Sequence, residues 1–168
     1  MTIYEFLNIL VQALMILIIS LGFIYARKQF NLHARSHEWE RMMLTQNAIV
    51  DFRKNQSLKT ISTKLDYLSQ THSTDLSKIN EAFDKDSELR ADAHMYLNQI
   101  EILCAGMLNG VYEEKLIKDS MGNTISYAFE FFKDYIEQRR TDLSPNLYKK
   151  TEQVVKLWQQ NKPINQPK

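Results

Sequence analysis

The stretch LRADAHMYLNQIEILCAGMLNGV, residues 89–111, decides the fold class. Wound at 100° per residue, Leu89, Ala93, Tyr96, Leu97, Ile100, Leu103, Cys104 and Met107 fall on one broad stripe, the pattern of a helix with a buried face. Ala91, Met95, Ile102 and Gly106 make a narrower apolar strip nearly opposite, so the helix is expected at the centre of a bundle, with neighbours on both sides. Between the strips runs a polar file of Arg90, His94, Asn98 and Glu101. Its spacings of four, four and three residues put adjacent members within side-chain reach. Ser87 is the expected cap of this helix and Gly110 its left-handed stop.

Reading outward, helical patterns continue on both sides. Residues 112–118 predict a short helix, and Asn123 or Thr124 opens another that runs to Arg140 and buries some of Tyr127, Phe131, Phe132, Tyr135 and Ile136. Ser144-Pro145 has the form of a cap followed by a first-turn proline, which predicts a last helix carrying Leu147, Val154, Val155 and Trp158. On the other side, Leu76, Ile79 and Phe83 mark a short amphipathic piece after a loop at 71–75. Before it, Leu58, Ile61, Leu65 and Leu68 recur at helical spacing behind Ser57, a candidate cap. No stretch alternates as a strand, so the fold class is all-α.

The amino-terminal part has a different composition. All 21 Lys and Arg residues follow Ala26, and Glu5 is the only ionisable side chain before it. Residues 6–26, FLNILVQALMILIISLGFIYA, would span about 30 Å as a helix, the thickness of a bilayer core. Asn8 and Gln12 lie near its amino-terminal end, and Ser20 can bond its own helix backbone. A cleaved signal would begin with basic residues and end at small ones; this segment begins MTIYE and runs into Phe23, Ile24 and Tyr25. A retained transmembrane anchor is therefore expected. Arg27, Lys28 and Arg35 follow it, which places the amino terminus outside and the carboxyl-terminal body in the cytoplasm, on the inner membrane. Tyr4 and Tyr25 suit the two interfacial belts.

Residues 27–54 contain neither Pro nor Gly, so the anchor helix is expected to continue as a stalk with a seam of Phe30, Ala34, Met42, Ile49 and Phe52. The expected organisation is an anchor at 1–26, a juxtamembrane stalk at 27–56, a helical bundle at 57–160 and a flexible tail at 161–168.

Beyond the anchor the formal charge is +2, too nearly neutral for a broad nucleic-acid surface. Cys104 is the single cysteine, which excludes an intrachain disulfide; on an apolar stripe it reads as a small buried hydrophobe. His33 and His37 stand four apart with Glu40 one turn on, too few ligands on one exposed helix for a metal site. Gly106 and Gly110 have close-packing spacing but lie outside the apolar segment, where a helix crossing and a helix stop account for them. No cofactor motif is present.

The polar file allows two readings. As a site, Glu101 is an acid or base and His94 its proton partner. As structure, Glu101 meets Arg139 or Arg140, or the amides that open another helix, because a buried carboxylate requires such partners. No nucleophile, phosphate loop or second carboxylate is spaced to complete a mechanism, so the structural reading leads.

The series Arg90, Tyr96-Leu97-Asn98, Glu101, Gly106, Gly110-Val111-Tyr112, Arg139, Tyr148 and Trp158 resembles a family of uncharacterised bacterial single-pass membrane proteins with a small helical domain of unknown function. The resemblance covers residues 88–158 and the general layout. It implies membrane attachment and an α-helical cytosolic domain, with no activity to transfer. The Arg90-to-His94 interval also resembles the Arg–His spacing of small helical ribonucleases, one residue short. Together these readings predict a non-enzymatic, membrane-anchored interaction or regulatory module, bound to the bilayer and to a protein partner or a second copy. The alternative is a membrane-tethered effector, a nuclease-like helical enzyme in bacterial or prophage defence.

Overall fold

A computed structural model describes residues 3–65, 75–162 and 164. The side chains of residues 5, 6, 8–11 and 13 lie outside this description, as do Leu68 and most of the expected 71–75 loop. The regular elements among the described residues are all helices, with no strand among them, which establishes the all-α class. The elements are α1 (Ile3–Lys54), α2 (Ser57–Lys64), α3 (Leu76–Lys85), α4 (Ser87–Leu108), α5 (Glu114–Phe131), α6 (Lys133–Asp142) and α7 (Lys149–Gln159). The chain divides into two compact units, Met1–Glu40 and Arg41–Lys168.

In the first unit every side chain from residue 14 to 28 is exposed. Leu14, Ile16, Ile19, Phe23 and Ile24 are 52–74 % exposed, on a helix with no neighbour to cover them in that unit. Among the described residues no helix is long and apolar enough to cross a membrane. The described apolar run, 14–25, would reach about 18 Å against the ~30 Å a bilayer core demands. Asn8, part of the expected anchor, has its side chain outside the described set.

The second unit begins within the expected stalk. Thr45, Ile49 and Phe52 are buried at spacings of four and three, so the last turns of α1 supply one face to the core. Phe30 (75 % exposed), Met42 and Ala34 do not join it, which corrects the seam expected along 27–56.

Around α4 pack α2, α3, α5 and α7. Its buried residues are the eight of the broad stripe. The opposite strip differs from expectation: Ala91, Met95 and Ile102 are exposed, and the residues α4 buries are those of the wide stripe.

Several boundaries fall elsewhere than the sequence suggests, each for a local reason. Asp86, not Ser87, caps α4: its Oδ1 accepts the Leu89 amide at 2.9 Å while Oδ2 holds Lys64 Nζ at 2.5 Å. Ser57 is the buried first residue of α2, and its hydroxyl donates to Asp92 Oδ1 at 3.0 Å rather than capping. Gly122 does not interrupt α5, which runs through it. It faces Trp158, whose Cζ3 would be 3.8 Å from an added Cβ. The division comes instead at Phe132, so that Phe131 and Phe132 both reach the core and meet edge-on at 4.9 Å. Successive side chains on an unbroken helix would diverge by about 100°.

Ser144-Pro145 opens a turn, closed by the Leu147 amide on the Ser144 carbonyl at 3.2 Å, and α7 starts only at Lys149. The residue between is Tyr148, in the left-handed region at φ 53°, which points its ring into the core. The first part of the expected flexible tail is held: the Ile164 amide donates to Glu114 Oε2 at 2.8 Å. The other residues of the 163–168 segment lie outside the described set.

Candidate functional site

The carboxyl-terminal end of α4 shows why its glycines are there. Gly110 takes φ +71°, and the Val111 and Gly110 amides donate back to the Gly106 and Met107 carbonyls at 2.9 and 3.0 Å. This pair of bonds is a Schellman stop, which needs a left-handed residue. Gly106 serves a different purpose from the helix crossing expected of it. The Tyr112 ring folds back onto it, and a Cβ there would lie 2.2 Å from Tyr112 Cδ2.

Of the polar file, Arg90 and Asn98 are exposed, while His94 and Glu101 are partly buried. Among the described residues no hydrogen bond or ion pair joins one member to another; each inward-facing member turns to a different helix. Glu101 turns to α7. Its Oε1 accepts the Lys150 amide at 3.0 Å, and its Oε2 accepts the Thr151 amide at 2.8 Å and the Thr151 hydroxyl at 2.7 Å. Helix amino termini carry unpaired N–H groups and partial positive charge, so a carboxylate here caps α7 from another helix. Both carboxylate oxygens are committed to α7, and no hydrogen bond joins Glu101 to His94 among the described residues. Cys104, one turn on, lies in the same packed region. Burial first, and the Glu101 charge as well, push its thiol up to about 12 against a hydrogen bond with Thr151.

His94 sits between two phenols. Nε2 lies 2.9 Å from the Tyr135 hydroxyl and Nδ1 3.2 Å from the Tyr148 hydroxyl, and the Phe83 ring packs edge-on against Tyr135 at 5.1 Å. Burial lowers the His94 pKa, and the Arg139 and Arg90 charges lower it further. Burial raises Tyr135, and pushes Tyr148 up to about 12 with the help of Tyr135 and Glu101. At neutral pH the three groups are a neutral relay crossing from α6 through α4 to the start of α7.

The two arginines named as partners for Glu101 go elsewhere. Arg140 pairs with Glu152 at 2.9 Å and donates Nε to the Leu147 carbonyl at 2.8 Å, bracing the turn before α7. Arg139 has no ion pair among the described residues, and its Nε is buried without a hydrogen-bond partner. Trp158 donates Nε1 to Glu114 Oε1 at 3.0 Å, joining α7 to the start of α5.

The sequence singled out the positions on α4 but not the residues that engage them. Tyr135 as a partner of His94, Thr151 as a partner of Glu101 and Asp92 as a partner of Ser57 are all long-range pairings. The available signal was the shared four-residue step of Arg90/His94 on α4 and Tyr135/Arg139 on α6.

Away from α4 the candidates are simpler. His37 Nδ1 lies 3.8 Å from Glu40 with both side chains exposed, and His33 is exposed beside them. Among the described residues no three His, Cys, Asp or Glu side chains are placed to share an ion. Tyr4 is 80 % exposed, and the Tyr25 hydroxyl accepts from Gln29 at 2.9 Å. Arg27, Lys28 and Arg35 line one shallow groove with Ile24, Asn31 and Leu32.

Comparison with known proteins adds one match. No curated protein and no solved structure matches the chain. The model of a protein family, described as a domain of unknown function (DUF4760), matches residues 2–158. This covers α1, the bundle and the His94 and Glu101 positions alike, so the chain belongs to the DUF4760 family.

Proposed function

We propose that the protein is a membrane-anchored helical module that works by binding a protein partner or a second copy of itself, and not by catalysis. The observation that carries this reading is the exposed apolar run of α1. Ten large apolar side chains between residues 14 and 25 are each more than half exposed on all sides of one helix. In water such a surface would be costly at about 25 cal/mol per Å². With residues 6–13 added from the sequence, the segment reaches bilayer length. Arg27, Lys28 and Arg35 then orient it, with the bundle on the cytoplasmic side of the inner membrane.

The non-catalytic part rests on the bundle. Its one inward carboxylate on the polar file is spent on capping α7, and its histidine is held neutral between two phenols. A module fixed in the membrane meets partners at raised effective concentration, so a modest interface suffices.

The test takes the full chain in native membranes. It should remain in the pellet after alkaline carbonate extraction, and Ile16→Asp with Ile19→Asp should release it with the bundle folded. Crosslinking in the same membranes should give a dimer or a partner adduct. Release of the unaltered chain by carbonate would sink the anchor, and a strictly monomeric, adduct-free chain would sink the interaction role.

A further inference from the structure

The relay at His94 has a proton too many. A neutral imidazole carries one N–H, and each phenol carries one O–H, so the three groups hold three donor protons. They make two hydrogen bonds with one another. If Nδ1 carries the proton, it donates to Tyr148, Tyr135 donates to Nε2, and the Tyr148 O–H is left over. If Nε2 carries it, the Tyr135 O–H is left over. Either tautomer leaves one phenol hydrogen without an acceptor among the described residues, on a tyrosine no more than 4 % exposed. A buried donor without an acceptor is costly.

The same place has a charge without a counter-charge. Arg139 lies one turn from Tyr135 on α6, and Arg90 one turn from His94 on α4. Both act electrostatically on His94 and on Tyr135. Neither has an ion pair among the described residues, and Arg139 Nε is a buried donor without a partner. The carboxylate that faces the relay is Glu101, near Tyr148, and its oxygens are already taken by α7. On α3, which packs against both helices, Asn80 is bonded to Gln138 at 3.0 Å and Phe83 presents a ring.

Two guanidiniums without an ion pair among the described residues, Arg90 exposed and Arg139 partly buried, and one spare hydroxyl form a set of donors with net charge +2. We propose that α4 and α6 build a binding site for a phosphate monoester dianion, held between Arg90 and Arg139 with the spare tyrosine hydroxyl as a third donor. Guanidinium forks match phosphate oxygens in geometry, and the doubly charged group balances both cations. His94 is a positioning residue: it fixes the two phenols and selects which one is free. Binding has a spectroscopic consequence. Cancelling the two arginine charges removes part of what holds His94 neutral, so its pKa rises when the dianion enters. This site is independent of the anchor and of any partner surface.

The experiment uses the full chain in nanodiscs of phosphatidylcholine, with histidine ring nitrogens labelled for NMR. Inorganic phosphate is titrated at pH 7.5 against chloride at matched ionic strength. Phosphate, and not chloride, should raise the thermal midpoint and shift the His94 resonances towards the protonated form. Arg90→Gln and Arg139→Gln should each weaken binding by roughly 10- to 100-fold. Arg139→Lys, which keeps the charge, should retain part of the affinity, so a general loss of fold is distinguishable. A second arm replaces free phosphate with a small fraction of phosphatidic acid in the nanodisc. A response there identifies a lipid headgroup as the source of the same dianion, and a response only to phosphate identifies a soluble ester. No response in either arm, or an unchanged response in both glutamine variants, would overturn the site.

Discussion

Glu101 and His94 lie seven residues apart on α4, on nearly the same face, and the bundle treats them in opposite ways. Glu101 is surrounded by donors: two amides and a hydroxyl from α7. His94 gives up its charge and is surrounded by groups that can both donate and accept. One end of the file is electrostatically closed, with every oxygen matched. The other is open, with a surplus proton and two arginines that have no ion pair among the described residues. A carboxylate at a helix amino terminus has a fixed answer, whereas a neutral relay can change its protonation pattern. The difference suggests that the Glu101 end holds the fold and the His94 end responds to something outside it.

The largest expected effect comes from the closed end. Glu101→Ala leaves the Lys150 and Thr151 amides and the Thr151 hydroxyl unpaired and should destabilise the bundle by about 3 kcal/mol, as hydrogen bonds to a charged group do. Chemical denaturation of the solubilised chain measures it. Combined with His94→Ala, the two losses should add to within about 0.5 kcal/mol, as for sites that share no bond. A large coupling would restore the acid–base pair and break the comparison. Next comes Thr151→Val, which removes one of three donors and leaves both amides; about 1–1.5 kcal/mol is expected, by the same measurement.

What the sequence made legible follows from what each feature depends on. The buried stripe of α4 and the stop at Gly110 follow from periodicity and from one residue's backbone freedom, both local, and the structure has them as read. The amides that open another helix are among the partners expected for Glu101, since a buried carboxylate has few alternatives, and α7 is the helix that supplies them. The start of α7 was misplaced because Ser144-Pro145 has the local form of a helix start. The actual start is set by Tyr148, whose left-handed backbone is repaid by a buried ring and a bond to His94. That contact spans 54 positions, and no local rule contains it. The break expected between residue 118 and Asn123 or Thr124 is absent, and Gly122 faces Trp158 on another helix.

At the open end, smaller effects are expected, and their asymmetry is informative. Tyr135→Phe and Tyr148→Phe each remove one hydrogen bond, and each should cost about 1 kcal/mol in denaturant unfolding. Because one phenol hydrogen is surplus, the two substitutions need not be equal. The variant that removes the surplus donor also removes an unsatisfied group, so it should be the milder of the two. Equal costs, both near 2 kcal/mol, would indicate that each hydroxyl has a further acceptor and that the relay is as closed as the Glu101 end.

The smallest effect is a pH dependence. Burial first, then Arg139 and Arg90, lower the His94 pKa in the folded chain, while the unfolded value stays near 6.5. The folded state therefore binds fewer protons at this position, and stability rises with pH across the interval between the two values. The His94 contribution is complete above about pH 6.5 and is lost as pH falls through the lowered folded pKa. Denaturation midpoints in chloride buffer should show it as a difference between the native chain and His94→Gln. The two curves should run parallel above pH 6.5 and converge below it, as protonation forces a cation between two arginines. Phosphate should weaken that loss by neutralising the arginines. A native chain whose stability relative to His94→Gln does not fall between pH 6.5 and 5 would mean that His94 is as firmly fixed as Glu101, and the contrast between the two ends of α4 would disappear.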